Sequence, residues 1–289
     1  ITRERQREFK RQQALGHHRS AVNLAKKGAA MGPLCSPTQL VVPRVHRTIM
    51  QTLCSDLAPG DLIVDVGLDG ESQFFDCPKR SSLKWLGFEP NPATCKKMRG
   101  DAAARNFLSA EVKCNAVSNV TGTASLHVAN KMAARSTLMA SVPSGLGFAT
   151  RAVQVPLTTL DAELGSHAST VGILKSDTQG YEVNVLRGAS GILRSGATLF
   201  VEFDPWLLRQ AGSTPEQLLA LVHGYGYSCA LNSANNECVE ISGSTRGEKK
   251  CWNDLVCRRQ WDAGADTCVA FKEVNFLSTD INAAGEPRP

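Results

Sequence analysis

Short apolar runs alternate with helical segments along most of this chain, and no other feature constrains its fold as strongly. DLIVDVG (61–67), LKWLGFE (83–89), EVKCNAV (111–117), VGILKSD (171–177) and ATLFVEF (197–203) read as buried strands. Their cores are apolar almost without break, as strands covered on both faces must be. NPATCKKMRGDAAARNF (91–107) reads as a helix with Asn91 as cap and Pro92 at its first position. TPEQLLALVHGYG (214–226) opens on a capping box, Thr214 with Gln217, and stops on glycine. Val45, Ile49, Leu53 and Leu57 recur at helical spacing and predict a helix over 44–58, ended by Pro59-Gly60. Val185, Leu186, Ala189, Ile192 and Leu193 predict one more helical face, which Gly188 and Gly191 can interrupt. YSCAL (227–231) and DLVCR (254–258) close the strand series. The order predicts an α/β fold: a doubly wound, mostly parallel sheet with helices on both faces. ASLHVA (124–129) and AVQVPL (152–157) predict a small antiparallel addition to it.

Open α/β sheets bind ligands beyond the carboxyl ends of their strands, so the strand ends are where chemistry is expected. After the first strand, DVGLDGES supplies Asp65, Gly67, Asp69, Gly70 and Glu71. The glycines permit close approach to the backbone, but this is not the G-x-G-x-x-G phosphate fingerprint. Acids beside the turn would repel a pyrophosphate and suit a cationic ligand. The second strand ends in Glu89, about twenty residues on, where an acid accepts hydrogen bonds from ribose hydroxyls. The third ends in NAVSN, where Asn115 or Ser118 can hold an adenine edge. Together these describe a pocket for an adenosyl ligand, and the missing phosphate cradle points to S-adenosylmethionine before NAD. The fourth strand ends Lys175-Ser176-Asp177, followed by a glycine turn and Glu182 at the start of the next helix. A core does not need charges there.

The stretches VDVGLDGE, GFEPNP, NAVSNVTGTASLHV, LTTLD, LKSDTQGYEVNVLRGA, LFVEFDP and DLVC occur in an order that resembles the FkbM-type methyltransferases. The resemblance covers about residues 60–258. It implies a class I, Rossmann-like methyltransferase fold, S-adenosylmethionine as cofactor, and O-methyl transfer to a small-molecule or glycan hydroxyl. It implies that the end of the fourth strand faces the acceptor. Asp177 would then orient or deprotonate a hydroxyl, Lys175 would pair with Asp177 or Glu182 or orient an acidic acceptor, and Glu182 would act there or cap free N–H groups. Asp65, Gly67, Asp69, Gly70, Glu89, Asn115 and Ser118 would hold the cofactor. The glycine turn is one residue shorter than the family's pattern. That turn, the basic arm and the nonmatching ends motivate a second reading: an inactive methyltransferase-like subunit serving as scaffold in a larger assembly, with or without RNA.

The chain divides accordingly into a basic arm and linker (1–43), a methyltransferase-like domain (44–258) and a carboxyl-terminal extension (259–289). The net charge of +5 belongs to the arm. Residues 1–27 hold eight Lys or Arg against two acids, so the remainder is near neutral. Such an arm suits RNA or an acidic protein partner. No apolar run approaches the roughly 18 residues that read as a transmembrane helix, and no amino-terminal segment resembles a signal peptide. The ten cysteines show no C-x-x-C pair and no Cys/His spacing suited to zinc, so no metal site is expected. Cys114, Cys229 and Cys257 lie in apolar strand-like runs, where a reduced thiol acts as a small hydrophobe. Cys238 and Cys251 flank a polar loop and can pair. Asn119-Val120-Thr121 is a glycosylation sequon that also suits a tight turn. The arginine-rich start favours a processed organellar protein, while the sequon and cysteines fit the secretory route. The long loop between the antiparallel runs carries Ser136 and Thr137 as candidate substrate contacts.

Overall fold

A computed structural model describes residues 39–42, 49–129, 136–138, 150–232, 237–240, 249–259 and 267–270. The basic arm 1–27 lies outside the described residues. The predicted first strand is β2 (Leu62–Val66), after β1 (Gln39–Val42) and α1 (Ile49–Asp56). Then come β3 (Lys84–Phe88), α2 (Pro92–Ala103), β4 (Ser109–Lys113), β5 (Ala116–Val117), β6 (Gly122–Ala129) and β7 (Thr150–Thr158). The second half runs α3 (Leu160–Leu164), β8 (Val171–Ser176), α4 (Glu182–Arg187), α5 (Ser190–Ser195), β9 (Thr198–Phe203), α6 (Pro205–Gln210) and α7 (Pro215–Gly224). It closes with β10 (Ser228–Leu231), β11 (Glu237–Glu240), β12 (Lys249–Arg258) and β13 (Thr267–Ala270).

The main sheet has the order β13-β1-β10-β12-β9-β8-β2-β3-β4. Its centre, β9-β8-β2-β3-β4, is parallel throughout, and β12 inserts antiparallel between β9 and β10. This is the predicted doubly wound, mostly parallel sheet. Residues on both sides of 44–258 join it, since β1 pairs with β10 and β13. Three short runs form a second sheet, β5-β7-β6, whose β6–β7 hairpin is the predicted antiparallel addition.

Alternate residues of the central strands feed two cores, one on each face, because a strand points successive side chains to opposite sides. Val64, Leu174, Leu199 and Val201 pack under α4, α5 and α7 with Val183, Leu186, Ile192 and Leu218. Ile63, Trp85, Ile173 and Phe200 pack on the other face with Leu53, Phe74, Phe75 and Met98. The predicted caps form: Asn91 Oδ1 accepts from Ala93 N at 3.1 Å, and Thr214 and Gln217 bond reciprocally at the start of α7. The helical face predicted over 185–193 is broken in two at Gly188. A Cβ there would lie 2.0 Å from Ser118 O, so only glycine admits the second sheet this close. Among the described residues no helix is long and apolar enough to cross a membrane.

Among the residues whose side chains are described, six cysteines are disulfide-bonded, as Cys54–Cys77, Cys95–Cys114 and Cys229–Cys257. This corrects the expectation of reduced thiols. An apolar setting marks burial and does not distinguish a thiol from a half-cystine. Cys238 and Cys251 are register partners across β11 and β12.

Asp161 in α3 carries a connection that nothing local in the sequence announces. Its Oδ2 accepts from Ser190 N at 3.0 Å and Ser190 Oγ at 2.7 Å, and its Oδ1 from Gly191 N at 2.7 Å. It thus satisfies the free amides opening α5 from another element. Asp161→Ala is expected to lower the unfolding free energy by about 1–2 kcal/mol, read from urea denaturation.

Candidate functional site

The strand order reverses direction between β2 and β8, and a crevice opens at their carboxyl ends. Two turns meet there. Gly67 follows β2 with φ of +83°, and a Cβ on it would lie 1.8 Å from Asp177 O at the end of β8. No side chain fits between the two strands at this point.

Charges hold the glycine turn from both sides. Lys175 and Asp65 are register neighbours on β8 and β2, both buried, with Nζ 3.3 Å from Oδ1. The same ammonium donates to Gly67 O at 2.8 Å and lies 3.8 Å from Asp177 Oδ2. Ser72 Oγ donates to the other Asp65 oxygen at 2.5 Å. Burial works against the charge of Lys175, but Asp65 and Asp177 outweigh it and its pKa is raised. Burial likewise pushes the Asp65 carboxyl up, and the ammonium opposes that push. On the other side Glu89, also buried, accepts at Oε2 from Leu68 N and Asp69 N, each at 3.3 Å. Its Oε1 accepts from Asn91 N at 2.7 Å. Burial raises its pKa, and these backbone amides pull it back.

The cleft above the turns measures about 680 Å³ including its open mouth. Val66, Phe88, Val117, Leu126 and Leu138 give it an apolar wall. Its polar lining comes from Gly67, Asp69, Glu89 and Asn115, from Ser136 and Thr137, and from the turn Asp177–Gln179. Ser136–Leu138 reach the cleft because Thr137 bridges to His127 of β6, with N–O distances of 2.9 and 3.1 Å. Among the described residues the lining holds three carboxylates, Asp69, Glu89 and Asp177, and no Lys, Arg or His. Asp69 is raised in pKa by partial burial first and then by the Asp177 charge.

The predicted site residues therefore separate. Gly67, Asp69, Glu89, Asn115 and Asp177 face the cleft. Asp65 and Lys175 lie beneath it as the ion pair just described. Gly70 lies off the lining, its carbonyl taken by Lys97 Nζ. Ser118 is drawn into the second sheet: β5 pairs with β7, and Ser118 N donates to Thr158 O at 2.8 Å. Glu182 is buried and turned back into its own loop. Its Oε1 accepts from Thr178 N at 2.8 Å, Thr178 Oγ1 at 2.9 Å and Gly180 N at 3.2 Å. It shapes the turn after β8 and does not reach the cleft. Burial pushes its pKa up to about 7.

Gln179 is a site residue that the sequence reading passed over. Its φ of +55° is a conformation that few non-glycine residues adopt. Its Nε2 donates to Asp177 Oδ1 at 3.2 Å and to Glu202 Oε1 at 3.0 Å, tying the ends of β8 and β9 together. The Gln-Gly pair at a strand end was the available signal.

The sheet order and this crevice define a class I methyltransferase fold. A family model described as "Methyltransferase FkbM domain" matches residues 67–229, more than half of the chain, and the chain belongs to that family. Solved structures similar to it include the precorrin-6y C5,15-methyltransferase of Geobacter metallireducens, at 12% identity and a TM-score of 0.39. That likeness covers 74% of this chain and 87% of the other. The magnesium protoporphyrin IX methyltransferase of Synechocystis, solved with bound SAM, is 13% identical with a TM-score of 0.35. It covers 72% of this chain and 76% of that one. No curated protein matches the chain.

Two outcomes test this geometry. Lys175→Met leaves Asp65 buried and unpaired, and is expected to lower the unfolding free energy by about 3–5 kcal/mol in chemical denaturation. Glu182 in the folded chain binds its proton more tightly than an ordinary glutamate near 4.5. The stability it contributes is therefore full below pH 4.5 and lost as pH rises through about 7. Glu182→Gln should flatten the fall in Tm between pH 5 and 8, measured by thermal scans.

Proposed function

We propose that this chain transfers a methyl group from S-adenosylmethionine to the hydroxyl oxygen of a small-molecule or glycan acceptor. The observation that carries this reading is the charge of the cleft, three carboxylates and no cationic side chain among its described lining residues. A dinucleotide or any phosphate ligand would be repelled by these three carboxylates. A ligand bearing an ammonium and a sulfonium, with no phosphate, is complementary to it. The acids at 69 and 89 and the apolar wall beside Asn115 fit the amino-acid, ribose and adenine parts of such a molecule. Glu89 has lone pairs left for ribose hydroxyls after its three backbone bonds. When bound, the cofactor supplies an electrophilic methyl on sulfur.

The remaining roles belong to this chain's residues. Asp177 is 40% exposed and accepts the proton that the acceptor hydroxyl must lose. Gln179 and Lys175 fix its carboxylate on either side, so little reorganisation is needed when it takes that proton. Ser136, Thr137 and Gln179 offer neutral donors and acceptors to a polyhydroxyl acceptor. The shortened glycine turn, which motivated the scaffold reading, keeps its amides on Glu89 and its carbonyl on Lys175.

Radiolabelled methyl transfer to a panel of glycan and polyol acceptors tests the proposal. The expected product is an alkali-stable methyl ether. Asp177→Asn should lower kcat by about 10²–10⁴-fold. Methyl recovered on nitrogen or carbon, or an unchanged kcat in Asp177→Asn, would overturn this assignment.

A further inference from the structure

The sequon and the cysteines play no part in the cleft chemistry, and they point to one environment. The sequence contains a single Asn-x-Ser/Thr sequon with x other than proline, at Asn119-Val120-Thr121. It occupies the turn between β5 and β6, and all three residues are exposed. Val120, at 54% exposure, is one of two large hydrophobic residues left in solvent among the described residues. The Asn119 side chain accepts from Ser118 Oγ at 3.1 Å through its oxygen. Its amide nitrogen has no hydrogen-bond partner among the described residues and points to no structural duty. The turn does not line the cleft, because pairing of β5 with β7 carries 118 away from it.

The disulfides are an independent observation. Cys54–Cys77 joins α1 to the segment after the glycine turn, and Cys95–Cys114 joins α2 to the end of β4. Cys229–Cys257 crosses between β10 and β12. All three connect separate elements of the main domain, and five of the six cysteines are buried. Such bonds form and persist in oxidising compartments and are rare where glutathione keeps thiols reduced.

We infer that Asn119 carries an N-linked glycan, added as the chain folds and forms its disulfides in the lumen of the secretory pathway. In that step the Asn119 amide nitrogen bonds to the anomeric carbon of a lipid-pyrophosphate-linked oligosaccharide. The bond from that carbon to the pyrophosphate oxygen breaks, and the amide proton passes to the transferase. The sugar projects from an exposed turn and shades Val120, while the cleft stays open. This places the chain in the lumen rather than in an organelle reached by a cleaved arginine-rich leader.

The test uses the full chain produced behind a secretory leader in eukaryotic cells. Treatment with peptide-N-glycosidase should shift the wild-type chain by the mass of one glycan. Asn119→Gln and Thr121→Ala should show no shift, and Thr121→Ser should restore it. The six paired cysteines should resist alkylation after denaturation without reductant and label fully after reduction. A folded, secreted wild-type chain that the glycosidase leaves unshifted overturns the inference. So does alkylation of those cysteines without reductant.

Discussion

The site depends on how one short turn is gripped. The chain reverses after β2, beside a strand that arrives more than a hundred residues later, and the turn between must stay open toward the cleft. Lys175 takes its carbonyl from below, and Glu89 takes its amides from the side. Asp65 supplies the countercharge that lets an ammonium remain buried. Gly67 is needed because the backbone of Asp177 passes where any Cβ would be. Remove the cation and the turn loses both its anchor and its electrostatic balance.

This division of labour sets the chemistry. Lys175 and Glu182 look catalytic in the sequence, but each is satisfied by neighbouring groups and shapes a loop. What faces the cleft is the residue between them, Asp177, oriented by both loops and by Gln179. The buried cation Lys175 is not among the described lining residues, and those that carry charge there are acidic. Such a lining would favour a positively charged ligand.

The fold was legible because its strands are short, apolar and regularly spaced, and because Asn91, Thr214 and Gln217 are local cap signals. The cleft residues legible at strand ends, Gly67, Asp69, Glu89, Asn115 and Asp177, all sit within three residues of one. The rest depended on contacts distant in sequence. Ser118 left the predicted site because β5 pairs with β7, and no local pattern records that pairing. Lys175 turned out to be buried because Asp65 stands opposite it in register, which composition cannot show. Asp161 reaches a helix that begins twenty-nine residues later. The cysteines misled for a similar reason, since Cys54 and Cys77 are brought together only by packing of α1 on the segment after β2.

The three carboxylates of the described cleft lining, Asp69, Glu89 and Asp177, would recognise a sulfonium nucleoside. Calorimetric titration of the disulfide-intact chain with S-adenosylmethionine, S-adenosylhomocysteine and NAD tests it most directly. Saturable binding of the first two is expected, none of NAD, and a loss of affinity for S-adenosylmethionine in an Asp69→Asn, Glu89→Gln double variant. Binding of NAD, or no binding of S-adenosylmethionine by a folded chain, would contradict it.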